Sequence, residues 1–308
     1  MSTALDAVIP AKETGRNLLI GTWNIRGFDS MTPKWRSRSG DSPIRDLGDI
    51  LSIAEIVSRF DVVAIQEVRQ SAEAFLAMME VLGERWAFLV TDVTRGKEGN
   101  SERLAFVFDQ ERVSPAGLAC ELVVAADQAG IQGSVLRKQF ARTPYAVSFA
   151  VGQEAFTLVT LHVTWGKRAK DRIPELTGIA EWLARWAKGK DPWGTNLIAL
   201  GDFNIDRKDD PLYQAFTSTG LRPPDPLNHV PRTIFEDPDP TADPNHRHFY
   251  DQIAWFAGAG GVPALTLEYS NAGMFYFPDV SSPATTTSQL SWRISDHFPL
   301  WVELKIPS

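Results

Sequence analysis

The stretch SWRISDHFPLWVELKI, residues 291–306, closes the chain on a core-strand pattern with Asp296 and His297 set into its mouth. Two titratable side chains between Ile294 and the run Phe298-Pro299-Leu300-Trp301-Val302 are costly if buried without partners. They either cap a strand or are placed there for chemistry. The pair alone leaves both readings open, and the rest of the chain has to weigh them.

Working back from this strand, the same kind of run recurs: NLLIGTWNI (17–25), VVAIQEV (62–68), RLAFVFD (103–109), YAVSFAV (145–151), FTLVTLHVT (156–164), NLIALGDFN (196–204) and YDQIAWF (250–256). Each is short, apolar and rich in β-branched or aromatic residues, which predicts strands. Helical periodicity appears in RDLGDILSIAEIVSRF (45–60), where Leu47, Ile50, Leu51, Ala54 and Val57 fall on one stripe. AEAFLAMMEVLG (72–83) and RIPELTGIAEWLARWAKG (172–189) are also helical, each ending at a glycine. The mixed order predicts sheets with helices outside them and several antiparallel strands. Two segments read as loops: the basic GFDSMTPKWRSRSGDSP (27–43) and the proline-dense 222–248. Residues 1–16 read as a flexible N-terminal segment, and 17–308, with no composition break to mark a linker, as a single domain.

Nearly every strand-like run carries a polar residue at one end. Asn24 ends TWNI, Gln66 and Glu67 end VVAIQE, His162 ends TLVTLH, Asp202 and Asn204 end LIALGDFN, Asp251 opens its strand, and Asp296 and His297 precede FPLW. Any one of these is a common turn former or cap. Together, on strands laid side by side, they converge on one edge, the usual place for a site in an α/β protein. Glu67, Asp202 and Asp296, with amide oxygens of Asn24 and Asn204, form a hard-oxygen set suited to Mg²⁺, Mn²⁺ or Ca²⁺. His162 and His297, each held by a carboxylate, are the residue type for general acid and base work near neutral pH. This is the kit for hydrolysing a phosphate ester. Ser295, Asp296 and His297 cannot form a serine triad, because neighbours in an extended segment face opposite ways. His246 and His248 read as loop hydrogen-bonders with a transition-metal site as the rival, and His229 carries no signal.

Composition bounds the partners. The 308 residues are 44% hydrophobic with a formal net charge of −7, which argues against nucleic-acid binding through bulk charge alone. An acidic metal site remains compatible with that balance. The single cysteine, Cys120, excludes an intramolecular disulfide framework and fits a reducing compartment. No secretory signal or membrane-spanning run is found, so a cytoplasmic monomer is expected.

The ordered motifs TWNIR, QEVR, SER before an apolar run, RTPY, LHVTWG, GDFN, YDQI and SDHFPL resemble the endonuclease/exonuclease/phosphatase superfamily, and within it the deoxyribonuclease-I-like members. The resemblance spans residues 18 to 304. It implies a four-layered α-β-β-α sandwich: two mixed, largely antiparallel sheets flanked by helices. It also implies Glu67 as principal metal ligand with Asn24 and Asp296 nearby, and Asp202 and Asn204 at the scissile phosphate or a second cation. By the same resemblance His297 is oriented by Asp251 and His162 by Glu102, Arg142 grips phosphate, and Arg69 meets a DNA groove. Asn100 stands where such nucleases often carry an aromatic. The expected activity is divalent-metal-dependent hydrolysis of DNA phosphodiesters. A phosphatase or lipid-headgroup phosphodiesterase is the alternative, supported by MFYF (274–277), and an inactive binding module the third reading. The cationic loop 27–43, with Lys34, Trp35, Arg36 and Arg38, together with Arg45 just beyond it, could hold a nucleic-acid backbone.

Overall fold

In the computed structural model, the described residues are 1–38, 40–94, 99–122, 140, 142–166, 168–189, 192–236, 247–258, 264–280 and 285–307. Twelve strands form two six-stranded sheets. The first contains β1 (Asn17–Phe28), β2 (Val62–Arg69), β3 (Trp86–Val90), β4 (Glu102–Asp109), β11 (Glu268–Met274) and β12 (Leu300–Lys305), in the order β11-β12-β1-β2-β4-β3. The second contains β5 (Ser114–Glu121), β6 (Tyr145–Val151), β7 (Glu154–His162), β8 (Leu197–Ile205), β9 (Leu221–Arg222) and β10 (Phe249–Phe256), in the order β5-β6-β7-β8-β10-β9. Among the described residues only β1–β2 and β7–β8 pair in parallel, and the other strand pairs are antiparallel. Helices α2 (Leu47–Val57) and α3 (Glu73–Leu82) cover the outer face of the first sheet, and α4 (Ala169–Lys188) and α5 (Pro211–Thr217) that of the second. The expected four-layered sandwich is therefore what forms.

The period of two along each strand separates the layers. Leu18 and Ile20 of β1 enter the core between the sheets, whereas Leu19, Trp23 and Ile25 pack outward with Ile50, Ile53 and Val57 of α2. On β8, Ile198 and Leu200 face the other sheet, while Leu197, Ala199, Phe203 and Ile205 meet Leu176, Ile179 and Leu183 of α4. Gly201 is required by closeness: a Cβ there would fall 2.1 Å from the Leu161 carbonyl oxygen of β7.

Several expectations are corrected. The N-terminal segment is not loose: α1 (Ser2–Val8) forms, and Leu5 and Ile9 are buried in the outer core of the first sheet. Apolar residues at 5 and 9 lie one helical turn apart, a spacing too short to stand out as a periodic pattern. On α2 the buried stripe is Ile50, Ile53, Ala54 and Val57, and Leu51 faces solvent. The edge strands β3, β5, β9 and β11 were not expected; β5 alternates between exposed and half-buried positions, which leaves no apolar run to read. Helices α5 and α6 (Thr287–Arg293) were likewise missed, being under two turns each. Within 222–248, residues 237–246, including His246, lie outside the described residues, but the remainder is ordered around buried Arg232 and contains a short 3-10 turn at Asp225–His229. The aromatics of MFYF do not form a rim: Phe275 and Phe277 are core residues. No helix among the described residues is long and apolar enough to cross a membrane.

Candidate active site

The site lies where the inward-facing row of each central strand changes from apolar to polar at one end of the sandwich. On β1 the row runs Leu18, Ile20, Thr22, Asn24; on β2 it runs Val62, Ala64, Gln66. On β7, Leu158 is followed by Thr160 and His162, and on β8 Leu200 by Asp202; on the antiparallel strands β4 and β10, Leu104 and Ile253 are preceded by Glu102 and Asp251. Register brings these ends level: His162 pairs with Asp202, and Asp202 with Asp251, across β7, β8 and β10. Buried amide and hydroxyl groups bridge the sheets beneath the site, Gln66 Nε2 donating to Thr160 Oγ1 at 3.0 Å and to Thr22 Oγ1 at 3.2 Å.

Two carboxylate–imidazole pairs face each other across this layer. Glu102 Oε2 stands 2.9 Å from His162 Nδ1, and Asp251 Oδ2 stands 2.6 Å from His297 Nδ1. Each imidazole thus turns Nδ1 toward its carboxylate, and Nε2 of His162 lies 3.5 Å from Asp202 Oδ2. Glu102 is almost fully buried and held by four groups: His162, Arg142 Nε at 2.5 Å, Arg69 Nη2 at 3.3 Å and Asn100 Nδ2 at 2.7 Å. Burial opposes its charge, but the hydrogen bond and charge of His162 and the two guanidinium groups outweigh it and bring its pKa down to about 2. For His297, burial likewise disfavours the charged ring, yet Asp251, with Asp202 and Asp296 nearby, holds it well above the ordinary histidine value. Burial raises Asp251 and Asp296, and the Glu67 charge raises Asp296 further.

Backbone geometry aims two of the site side chains. Glu67 has φ 63° within an irregularity of the β1–β2 and β2–β4 pairings, and Asn204 has φ 48° at the end of β8. A left-handed backbone is costly for Glu, on the order of 1 kcal/mol or more, and such conformations collect at functional sites. The irregularity turns Glu67 off the strict alternation, so that it accepts from Gly27 N at 2.8 Å and meets Arg69 Nη2 at 3.2 Å. Asn204 is fixed by donating Nδ2 to Val163 O at 2.7 Å, and its N–H donates to Asp202 Oδ1 at 2.8 Å.

Asn24, Glu67, Arg69, Glu102, Arg142, His162, Asp202, Asn204, Asp251, Asp296 and His297 sit at this end of the sandwich, though not all in the expected contacts. Asn24 Nδ2 donates to Asp202 Oδ2 at 3.1 Å and Glu67 Oε1 at 3.4 Å, leaving Asn24 Oδ1 buried with no partner. Asp296 pairs with Arg26 Nη1 at 3.4 Å. Among the described residues, acid and imidazole atoms within 4.8 Å of one another form two groups, Glu67–Glu102–His162 and Asp202–Asp251–His297. Arg142 is buried, engaged by Glu102 and by the His162 carbonyl at 3.4 Å, and Arg69 bridges Glu67 and Glu102 while its Nη1 donates to Asn100 O. Asn100, in place of an aromatic, braces Glu102. Arg45 is buried and donates to the carbonyls of Arg26, Gly27, Arg293 and Ile294, and Lys34 pairs with Asp41, so neither is a free rim cation. His248 stacks on Tyr250, whose ring lies 5.6 Å from His297.

Two residues escaped the sequence reading. Arg26 shares the face of Asn24 by the period of two, a signal that was present. Arg232 gave none: fully buried in the proline-dense segment, it donates to Asp251 O, Val230 O and Leu227 O and so fixes the strand start that carries Asp251.

A sequence profile described as the Endonuclease/Exonuclease/phosphatase family matches residues 21–297, from the middle of β1 to His297 itself. The chain belongs to this family. Among family relatives, a deoxyribonuclease of Thioalkalivibrio sp. (strain K90mix) is 28% identical over 265 residues, covering 82% of this chain and 65% of that one. The chain therefore spans just under two thirds of that relative's length. Deoxyribonuclease-1 of Oryctolagus cuniculus is 25% identical over 312 residues, covering 99% of this chain and 98% of its own. A mannosyl-6-phosphatase structure from Bacteroides thetaiotaomicron shares the fold with TM-score 0.59 and 18% identity, over 93% of this chain and 99% of that one.

Proposed function

We propose that the protein is a divalent-cation-dependent phosphodiesterase that hydrolyses DNA by in-line attack of water. The observation that carries this reading is the opposition of Glu102–His162 and Asp251–His297 around Asp202. Each imidazole, held through Nδ1, presents Nε2 to the reaction: one takes a proton from water and the other returns one to the leaving oxygen. Asp202 lies near both pairs and accepts from the Asn204 N–H, and the two residues orient the attacking water and the phosphate. Arg69 and Arg142 hold the Glu102 side of the site and add positive potential near the phosphate oxygens. The names of the two deoxyribonuclease relatives support DNA over other phosphodiesters.

A cation fits the residues present. Asn24 Oδ1 is a buried acceptor with no partner, Asn24 Nδ2 lies 3.4 Å from Glu67 Oε1, and the Glu67 charge acts on Asp296, so the three side chains supply hard-oxygen donors. These three residues would hold Mg²⁺, Mn²⁺ or Ca²⁺, which when bound supplies charge neutralisation at the phosphate oxygens. Half-buried Cys120, the single cysteine of the chain, supports a reducing compartment such as the cytoplasm.

The test is plasmid nicking with added Mg²⁺ or Mn²⁺, comparing the wild type with His297→Ala. The expected loss is about 10²–10⁴-fold in kcat. Hydrolysis of a phosphomonoester or phospholipid without nicking would replace this reading.

A further inference from the structure

Beside Glu67, a cleft of about 700 Å³ opens between the β1–α2 segment and α6. Its volume is within the range that takes a nucleotide-sized ligand. It is joined to the site by three contacts. Gly27, on its wall, donates its N–H to Glu67; Arg69, on its wall, bridges Glu67 and Glu102; and Arg26 links Asp296 to Trp292. Trp292, on α6 with 49% of its area exposed, is the large aromatic on the wall of this cleft.

The arrangement around that ring is built. The Arg26 guanidinium lies 3.9 Å from the Trp292 ring centroid while its Nη1 reaches Ser291 Oγ at 2.9 Å and Asp296 Oδ2 at 3.4 Å. Gly27, in left-handed backbone at φ +49°, lies under the indole edge, where an added Cβ would come within 3.5 Å of it. The ring is therefore held by the Arg26 cation, while about half of Trp292 stays exposed and lines the cleft. Asp29, Ser30 and Ser42 also line the cleft; Asp29 already accepts from Ser71 and Ser30, and its remaining lone pairs and the Ser42 hydroxyl are the polar groups that a base edge could meet.

We infer that this cleft is a subsite for an unpaired nucleobase of the strand being cut, stacked on Trp292 one nucleotide from the phosphate at Glu67. This deepens the proposed nuclease reading and rests on it. A base paired and stacked in a duplex cannot lay its face on Trp292 without leaving the helix, so single strands, frayed ends and bulges are the favoured substrates. Stacking on an aromatic tolerates any base, and the cleft therefore selects for single-strandedness more than for sequence.

The experiment compares Trp292→Ala and Trp292→Phe with the wild type on a short single-stranded oligothymidylate, on the same sequence as duplex, and on an abasic tetrahydrofuran-phosphate strand of equal length. Trp292→Ala is expected to raise KM on oligothymidylate by about 5- to 150-fold with kcat nearly unchanged. The abasic strand and the duplex should change far less, and Trp292→Phe should retain part of the affinity. Equal effects on the normal and abasic strands, or no effect on either, would overturn the subsite while leaving the nuclease intact. Failure of the wild type to cut any of the three would overturn the nuclease reading itself and the subsite with it.

Discussion

Replacing Glu102 by Gln keeps the shape of the side chain and removes one charge from the most heavily engaged acid of the site. The magnitude follows from its surroundings. A carboxyl moved from 4.5 to about 2 by its folded environment corresponds to about 3 kcal/mol of preference for the ionised form, at ~1.4 kcal/mol per tenfold. The neutral amide of the Glu102→Gln variant would also leave buried Arg142 without its anionic partner at 2.5 Å, and breaking one side of a buried pair costs about 3–5 kcal/mol. The two figures describe the same interaction, so a stability loss of about 3 kcal/mol at neutral pH is expected, read by urea unfolding. The sign with pH is fixed: the folded pKa is depressed, so the contribution is complete above the unfolded value of 4.5 and is lost as pH falls toward about 2. Wild type and variant should therefore converge in stability as the pH is lowered from about 5. On catalysis, His162 would lose the anionic partner that faces its Nδ1, and kcat should fall about 10²–10⁴-fold. A folded variant with wild-type kcat would refute the assignment of Glu102 as the orienting partner.

Other outcomes test separate parts of the reasoning. Asn24→Ala removes the unpartnered buried oxygen, and the Mn²⁺ concentration for half-saturation, measured by calorimetry or electron paramagnetic resonance, should rise by about tenfold or more. An unchanged cation affinity would remove Asn24 from the ligand set. Leu5→Ala in α1 should cost about 2–5 kcal/mol, because Leu5 is fully buried; a cost near zero would return residues 1–16 to the status of a loose segment.

The fold was largely legible in the sequence because its central strands carry near-continuous apolar runs. YAVSFAV coincides with β6, and GDFN and SDHFPL place their acids at the mouths of β8 and β12. The edge strands were not legible, since half-exposed chains such as β5 bury too little to show a pattern. Individual site residues were legible as polar interruptions at strand ends, and their pairing was carried by resemblance. Arg232 was invisible: its role depends on three carbonyls that only the folded segment brings together.

What the sequence determined by itself is thus the period of each strand and the point where its apolar row gives way to Asn, Asp, Glu or His. Tertiary structure decided that these rows share one inner face. Register aligned His162, Asp202 and Asp251, and the left-handed backbone at Glu67 turned a side chain that strict alternation would have sent to the other face. The physical reason is that alternation is a local property of one strand. Which rows oppose one another depends on the packing of two sheets, and only that packing excludes enough water to hold Glu102 and Asp251 against their histidines.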